Sequence, residues 1–307
     1  MNLCRVYFRQ ILFTAFLLSL LPLLQIQIFA QDDDEEITIE SSLVVLNASV
    51  TDKNGKTVFG LKKSDFRVFE DGVEQELEFF EAQESPFAAV ILIDTSGSME
   101  QRISLARSAA INFLDGLRAD DNVAIYNFDS KVSLIQDFSN SRDITEKIFD
   151  LKAYGMTVLN DAVYHAALEL EKRPEKRRAI IVLSDGADNR SAHSASKALK
   201  AALKAHATIY TVDMSSIKTG GRERMQNQSV LKNFASKTGG RFISTPGGIE
   251  LRSAFSSIVE ELGNQYTFGY EPQNVKMDGK WHSIEVRVSR PNLNIRTREG
   301  YNAGKAK

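Results

Sequence analysis

Residues 91–99 read Ile-Leu-Ile-Asp-Thr-Ser-Gly-Ser-Met, and this stretch decides the fold. An apolar run ends here in an Asp-x-Ser-x-Ser turn, and an amphipathic segment follows it. The pattern is typical of a buried strand that ends at the carboxyl edge of a parallel sheet and leads into a helix. Asp94, Ser96 and Ser98 all carry oxygen donors, which small hard cations prefer. We therefore predict a metal site at this turn.

The chain from residue 87 to residue 262 alternates short apolar segments with amphipathic ones. This alternation predicts an α/β fold, a doubly wound and mostly parallel sheet with helices on both faces. The predicted strands are 88–93, 123–128, 132–134, 179–183, 208–212 and 241–243. The predicted helices cover about 103–117, 163–170, 196–206, 229–238 and 249–262. Residues 215–228, rich in Gly, Arg and Gln, are predicted to form a long loop.

The two flanks of this region, residues 31–86 and 263–303, are patterned as short strands. Asn54-Gly55, Asp71-Gly72 and Asp278-Gly279 are dipeptides that favour tight hairpin turns. Neither flank is long enough to build a core of its own. We therefore predict that the flanks pack together as one small β module beside the α/β domain.

The N-terminal thirty residues have the pattern of a secretory signal peptide. Arg5 and Arg9 precede an apolar run over residues 11–24, and Ala30 is a suitable small residue for cleavage. The alternative is an uncleaved membrane anchor, although the apolar run is shorter than the about 20 residues of a spanning helix. We predict a signal peptide over 1–30, a periplasmic or secreted mature protein, and no membrane span after cleavage.

Composition excludes several classes of protein. Cys4 is the one cysteine among 307 residues and precedes the apolar run, so the mature protein would have no disulfide and would need a large core. The formal net charge of −2 argues against a nucleic-acid binder. The acidic run at 32–36 is interpreted as a solvated tail rather than a calcium site.

Motifs of the common enzyme classes are missing from the sequence. A phosphatase of the haloacid dehalogenase type needs a second Asp two residues after the first, and Ser96 stands there. There is no Gly-x-Gly-x-x-Gly, Walker loop, His-Glu-x-x-His or Gly-x-Ser-x-Gly. The four histidines lie far apart in sequence and are interpreted as solvated or packed; they are His165, His193, His206 and His282. We predict that the protein is not an enzyme and has no catalytic residues.

Two later residues complete the predicted metal site. A cation such as Mg²⁺ takes about six oxygen ligands, and the first turn offers three. Thr157 lies in a loop before a helix, and Asp185 ends a later apolar strand. In a doubly wound sheet, loops at the carboxyl ends of strands converge where the strand order reverses. Under the alternative interpretation, Asp94 and the serines would only cap the following helix.

The order Asp94-x-Ser96-x-Ser98, Thr157 and Asp185 resembles the metal-ion-dependent adhesion site of von Willebrand factor type A domains. The resemblance covers roughly residues 87–262. The flanks resemble a secreted bacterial family of such proteins best known from acidobacteria, through segments 50–55, 68–72, 269–270 and 300–301. Together the two resemblances cover nearly the whole mature chain.

The resemblance implies how the ligands would be used. Ser96, Ser98 and Thr157 would bind the metal through hydroxyls, and Asp94 and Asp185 mostly through water. One position would remain for an Asp or Glu carboxylate of a protein partner. Because few anions would touch the cation directly, much of its charge would stay available to that carboxylate. The implied cofactor is Mg²⁺, with Mn²⁺ or Ca²⁺ as alternatives.

The sequence departs from the family pattern at one position in the site. Met156 stands where a second glycine is expected before Thr157, which removes no ligand but could narrow the loop's freedom or shield the metal. We expect an exported, non-catalytic, cation-dependent protein-binding module that does not bind nucleic acid. Two alternatives stay open: a structural envelope component with a vestigial metal site, and a metal-dependent hydrolase.

Overall fold

The computed structural model describes residues 43–82, 84–142, 146–215, 221–244, 249–273 and 278–303. These residues belong to one compact unit, Ile37–Lys307. The predicted signal peptide and the acidic run at 32–36 lie outside the described residues. Among the described residues, no helix combines the length and apolar character that crossing a membrane requires.

The N-terminal flank consists of four strands. They are β1 (Val44–Asp52), β2 (Phe66–Glu70), β3 (Val73–Gln75) and β4 (Leu77–Glu81). The central region alternates strands and helices, in the order β5 (Phe87–Asp94), α1 (Ile103–Asp115), β6 (Asn122–Phe128), β7 (Val132–Ser139), α2 (Leu159–Glu171), β8 (Arg177–Ser184), α3 (Ala195–Lys204), β9 (Ala207–Asp213), α4 (Arg222–Thr238), β10 (Phe242–Ser244) and α5 (Ile249–Gly263). The C-terminal flank has β11 (Tyr266–Tyr270), β12 (Trp281–Val288), β13 (Leu293–Arg296) and β14 (Gly300–Asn302).

The central sheet has six strands in the order β10-β9-β8-β5-β6-β7. All neighbours are parallel except β6 and β7, which pair antiparallel. Every residue of β5 is buried, as expected for a central parallel strand covered on both faces. Ile91 pairs with Ile125 of β6 on one side and with Ile181 of β8 on the other. The predicted doubly wound, mostly parallel α/β fold is confirmed.

Alternate residues of β5 enter two separate cores. Ile91 and Ile93 join the core beneath α1 and α5, whereas Val90 and Leu92 join the core beneath α2, α3 and α4. Each fully buried Leu, Ile or Phe contributes about 1.5–3 kcal/mol relative to an exposed position. The two layers therefore hold β5 rigidly, and they fix the turn that follows it at the centre of the sheet.

Two elements differ from the sequence prediction. β7 continues to Ser139 rather than ending at residue 134, because its antiparallel pairing with β6 lets one face stay polar. The loop predicted over residues 215–228 is wrong for its second half, since α4 begins at Arg222. The added helical turns are rich in Arg, Glu, Met and Gln, which are good helix formers but show no apolar periodicity.

The β module consists of two four-stranded sheets that each combine both flanks. One has the order β13-β1-β11-β4 and the other β14-β12-β2-β3. Their shared core includes an aromatic cluster in which Phe66 lies 5.1 Å from the Tyr266 ring and 5.4 Å from the Phe80 and Phe268 rings. The predicted β module built from the two flanks is confirmed, because residues of both flanks form this core.

A buried carboxylate joins the β module to the α/β region. Glu261 of α5 is 4% exposed. Its Oε1 accepts hydrogen bonds from Ser49 of β1 at 2.8 Å and from the Tyr210 hydroxyl of β9 at 2.7 Å. Its Oε2 accepts from Arg296 of β13 at 2.7 Å. One side chain thus holds a helix, the central sheet and both flanks together.

Candidate metal centre

Asp94 is the last residue of β5 and is fully buried. Its Oδ1 accepts the Ser96 N–H at 2.9 Å, which turns the chain sharply after the strand. Its Oδ2 accepts a 2.6 Å hydrogen bond from the hydroxyl of Ser184, the last residue of β8. The carboxylate is therefore fixed between the ends of two adjacent parallel strands.

The electrostatic environment of Asp94 is unfavourable for a free carboxylate. Burial raises the pKa of Asp94 to about 7, and the charge of Asp185 acts in the same direction. Hydrogen bonds from Ser184 and Ser96 oppose this shift only in part. None of the ion pairs formed within the described part of the chain includes Asp94. A bound cation would supply the missing positive charge.

The two serine hydroxyls lie together at the mouth of the turn. Ser96 Oγ is 3.1 Å from Ser98 Oγ, and Ser96 is buried whereas Ser98 is exposed. Neither hydroxyl caps the helix that follows: α1 begins at Ile103, and its cap residue Arg102 makes no side-chain capping bond. Ser96 is the cap residue of a short 3₁₀ helix, Gly97–Met99, and makes no side-chain capping bond to it either. The helix-cap interpretation of this turn is therefore wrong, and the hydroxyls face each other.

Backbone hydrogen bonds tie the loop of Thr157 to this turn. The Tyr154 N–H donates to the Thr95 carbonyl at 2.7 Å, and the Gly97 N–H donates to the Gly155 carbonyl at 3.2 Å. Thr157 follows in the same loop and is 2% exposed. The structure thus brings the Thr157 loop alongside residues 95–97, as the sequence predicted from strand order alone.

The glycine that this loop needs is Gly155, not the residue at 156. Gly155 has a left-handed φ of +84°, and an added Cβ would lie 2.7 Å from Ser130 Oγ. The backbone of Met156 is not left-handed, and its N–H donates to Ser130 Oγ at 3.1 Å. Met156 is therefore accommodated without backbone strain, and its side chain is 43% exposed beside the turn.

The third loop starts at Asp185, directly after the Ser184 that contacts Asp94. Asp185 Oδ1 accepts the Ala187 N–H at 3.1 Å. Farther along, Asn189 Oδ1 accepts the Thr157 N–H at 2.9 Å, and the Thr157 carbonyl accepts the Asn189 N–H at 3.1 Å. The second and third loops are therefore joined at Thr157, and all three loops meet at one edge of the sheet.

Asp188 has a structural role in this third loop. Its Oδ2 accepts the Asn160 N–H of the first turn of α2 at 2.7 Å and the Ser191 hydroxyl at 2.6 Å. These bonds hold the third loop against the start of α2. Asp161 holds the end of the loop, because its Oδ1 accepts the His193 N–H at 2.8 Å.

A second Asp-x-Ser turn at the same edge provides an instructive contrast. Asp213 ends β9, and its Oδ1 accepts the Ser215 N–H at 2.9 Å, the same distance as in the Asp94 turn. Its Oδ2 accepts from Gln228 at 2.7 Å, and the guanidinium of Arg224 lies 3.7 Å away. Asp213 therefore has a cationic neighbour within the protein, which Asp94 lacks among the described ion pairs.

The sequence analysis missed a group of titratable side chains in the β module. Glu70, Asp71 and His282 place one potential ligand atom each within 4.8 Å of the others. Asp71 belongs to the Asp71-Gly72 hairpin turn that was predicted, but the turn alone does not indicate that His282 lies opposite it. His282 comes from the other flank, 211 positions away, and only strand register brings it there.

Comparisons with known proteins agree with this geometry. The family model of the von Willebrand factor type A domain matches residues 89–187, a segment that contains all five predicted ligands. These residues therefore form a von Willebrand factor type A domain, as the sequence resemblance indicated. An uncharacterized protein from Synechocystis sp. is 26% identical over 184 residues, which make up 58% of this chain and 42% of that relative. The match thus spans less than half of the relative's length.

Two solved structures are similar in fold. The von Willebrand factor type A protein from Catenulispora acidiphila is 13% identical, with a TM-score of 0.49, and the match covers 89% of this chain and 76% of that one. The vWF domain of the type V pili tip protein Mfa5 from Porphyromonas gingivalis is 15% identical, with a TM-score of 0.48. That match covers 58% of this chain and 95% of the Mfa5 domain.

Proposed function

We propose that a divalent cation binds at the carboxyl edge of the central sheet and there receives a carboxylate from a protein partner. The proposed ligands are the hydroxyls and carboxylates of Asp94, Ser96, Ser98, Thr157 and Asp185. The observation that carries the proposal is the state of Asp94, a fully buried carboxylate with another carboxylate nearby and no ion-pair partner among the described residues.

The donor set fits a hard cation such as Mg²⁺ or Mn²⁺. All the proposed ligand atoms are oxygens, and three belong to neutral hydroxyls. If water lies between the metal ion and the two carboxylates, the carboxylates neutralise the 2+ charge of the ion only from a distance. The cation would then keep a strong attraction for an incoming Asp or Glu. Ser98 is the exposed member of the set and marks the side from which a partner approaches.

The same residues offer little for catalysis. Phosphatase chemistry of the haloacid dehalogenase type needs a second Asp two residues after the first as acid and base, and Ser96 stands at that position. Asp94 Oδ2 is engaged by the Ser184 hydroxyl, which keeps this oxygen from acting as a nucleophile. We therefore propose a binding role, in a protein exported to the periplasm or secreted.

Metal titration of matched variants tests the site. In calorimetric titrations of the full chain with Mg²⁺, wild type should bind one equivalent, and Asp94→Asn should bind at least about tenfold more weakly because a ligand charge is lost. The matched control is Asp213→Asn, which changes the equivalent Asp-x-Ser turn of the same sheet. Equal metal affinities for wild type and Asp94→Asn would show that Asp94 does not belong to the metal site.

The partner chemistry is tested separately with peptides. Immobilised protein should retain peptides that carry an exposed Asp or Glu in the presence of Mg²⁺, and should release them with EDTA or when the acidic residue is changed to Asn or Gln. If the peptides stay bound after EDTA is added, the result would favour a structural envelope component whose metal site is vestigial. Turnover of a phosphate ester or peptide that is lost in Asp94→Asn would favour a hydrolase instead.

A further inference from the structure

A second cluster of possible ligands lies in the β module, where both flanks contribute to it. We define the His282 cluster as Glu70, Asp71, Asp278 and His282. His282 Nδ1 is 2.8 Å from Asp71 Oδ2 and 3.5 Å from Glu70 Oε1. On the opposite edge of the ring, His282 Nε2 is 3.5 Å from Asp278 Oδ1. Three carboxylates thus surround a single imidazole.

The inner half of the cluster is held in place by other polar groups. Glu70 is 7% exposed, and it accepts hydrogen bonds from the hydroxyls of Tyr270 at 2.6 Å and Tyr301 at 3.1 Å. Burial raises the pKa of both tyrosines, so that each keeps its proton and donates it to Glu70. Such outer hydrogen bonds orient a carboxylate and leave its remaining lone pairs directed at the ring of His282.

The outer half of the cluster is formed by Asp71, in the hairpin turn between β2 and β3, and by Asp278, which lies just before β12. The predicted hairpin at Asp278-Gly279 is wrong, because β12 pairs with β2 and β14 and not with β11. Asp71 Oδ1 accepts the Ser283 N–H at 2.9 Å, so that the other oxygen, Oδ2, points to His282. Asp278 Oδ1 accepts the Lys280 N–H at 2.9 Å. Asp71 and Asp278 are exposed, whereas His282 is 4% exposed beneath them. The cluster therefore consists of a buried imidazole that lies beneath two solvent-exposed carboxylates.

The two ring nitrogens of His282 face carboxylates on opposite edges of the imidazole. His282 Nε2 is buried and has no hydrogen-bond partner among the described residues. A neutral imidazole carries one N–H, so with carboxylates on both edges one ring nitrogen would direct its lone pair at a carboxylate oxygen unless a second proton or a cation lies there. A cation bound at Nδ1 removes this conflict, because the proton then resides on Nε2 and faces Asp278.

We propose that Glu70, Asp71 and His282 Nδ1 bind a divalent transition-metal ion of the Zn²⁺ class. Two ligand atoms about 2.0–2.2 Å from one such ion lie roughly 3 to 3.5 Å apart at right-angled or tetrahedral positions. His282 Nδ1 lies 2.8 Å from Asp71 Oδ2 and 3.5 Å from Glu70 Oε1, close to this range, and the ligand atoms of the two carboxylates lie within 4.8 Å of each other. A donor set of one imidazole and two carboxylates favours Zn²⁺, Mn²⁺ or Fe²⁺ over Mg²⁺, which distinguishes it from the all-oxygen site near Asp94.

The metal would join the two flanks of the β module. Glu70 and Asp71 belong to the N-terminal flank and His282 to the C-terminal flank, with the type A domain between them. The Asp71 to His282 contact spans 211 positions. A metal tie of this length acts like a disulfide, because it restricts the unfolded chain, and the predicted mature protein has no cysteine to serve that purpose.

Cobalt is a suitable probe, since its d–d absorption reports ligand number and the presence of nitrogen ligands. The experiment uses untagged full chain that carries Asp94→Asn, which disables the other proposed site. We expect one equivalent of Co²⁺ with a visible band, displaced by Zn²⁺ but not by Mg²⁺. Adding Asp71→Asn or His282→Gln should weaken Co²⁺ binding at least about tenfold, and Tyr301→Phe should weaken it about ten- to a hundredfold.

Two controls keep the result interpretable. His193→Gln alters another His–Asp pair, in which His193 Nδ1 lies 2.7 Å from Asp161 Oδ1, and it should leave Co²⁺ binding unchanged. Asp71→Asn is expected to fold, because Asp71 is exposed with a φ of 48°, a conformation that Asn tolerates. Zn²⁺ should raise the Tm of the Asp94→Asn protein and not that of Asp94→Asn/Asp71→Asn. No Co²⁺ band, or a band unaffected by both cluster variants, would overturn the proposal.

Discussion

The Ser184 hydroxyl donates a 2.6 Å hydrogen bond to Asp94 Oδ2, across 90 positions of sequence and between the ends of two neighbouring strands. Ser184 Oγ also accepts the Gly186 N–H at 3.0 Å. One hydroxyl thus connects the carboxylate of the first loop to the backbone of the loop that carries Asp185. Ser184 acts as a positioning residue for the proposed metal site.

Replacing Ser184 by Ala should weaken both stability and metal binding. The variant removes a hydrogen bond to a buried carboxylate, so we expect a loss of about 1.5–3 kcal/mol in the free energy of unfolding. Mg²⁺ affinity should fall as well, since Asp94 becomes harder to ionise. Urea denaturation and calorimetric titration measure the two effects. Unchanged Mg²⁺ affinity in a destabilised variant would contradict the positioning role.

The two glycines that join the first and second loops should differ in their tolerance of alanine. In Gly155→Ala the new Cβ would meet Ser130 Oγ at 2.7 Å on a left-handed backbone, so we expect a loss of about 1–3 kcal/mol and weaker Mg²⁺ binding. In Gly97→Ala the new Cβ would lie 3.6 Å from the Gly155 carbonyl, an ordinary contact. Denaturation of both variants provides the comparison, and equal losses would contradict this account of the loop.

Glu261 should be far more important for stability than its neighbour Glu260. Glu261→Gln removes a buried charge that accepts hydrogen bonds from Ser49, Tyr210 and Arg296, so we expect a loss of about 3 kcal/mol in the free energy of unfolding. Glu260 is exposed, and Glu260→Gln should change stability by less than about 0.5 kcal/mol. Similar values for the two variants would show that Glu261 does not hold the β module to α5.

His206 should make the protein sensitive to acid. Burial, with the charges of Arg298 and Arg178, lowers the pKa of His206 to about 3, whereas the unfolded value is about 6.5. The unfolded chain therefore binds a proton that the folded chain does not, and stability contributed by neutral His206 is lost as pH falls from about 6.5 towards 3. Because His206 as a whole residue is not fully buried, we expect an effect on the order of 1 kcal/mol.

The variant His206→Asn tests this pH dependence. Asn tolerates the φ of 53° at this position and can still accept the hydrogen bond from Arg298, whose Nη1 lies 3.3 Å from His206 Nδ1. Urea denaturation at pH 6.5 and pH 4 should show a smaller loss of stability for His206→Asn than for wild type. Parallel pH dependence in the two proteins would refute the assignment to His206.

The central sheet could be predicted because its strands are continuous apolar runs. β5 and β8 are buried on both faces, so each contains a continuous apolar run. Such a run shows neither the alternation of a half-buried strand nor the spacing of an amphipathic helix. The pairing of the two flanks could also be predicted, because each flank is too short to build a core of its own. The start of α4 could not be predicted, because Met225 is the one apolar residue among residues 222–228 and they carry no periodic signal.

The approach of the three loops to one edge was also predictable, since it follows from strand order and parallel direction. The hydrogen bonds that organise this edge could not be predicted. Ser184 precedes the predicted ligand Asp185, but nothing in the sequence shows that the Ser184 hydroxyl reaches Asp94. The His282 cluster was missed for a related reason. Its members come from strands whose partners and register depend on packing of the whole β module.

The most direct test of the central claim is an anomalous difference map from crystals of the full chain grown with Mn²⁺. We predict a peak at the carboxyl edge of the central sheet, in direct contact with the hydroxyls of Ser96, Ser98 and Thr157, with Asp94 and Asp185 nearby. Crystals of Asp94→Asn grown in the same way should show a much weaker peak. A wild-type map with no Mn²⁺ at these hydroxyls would contradict the account.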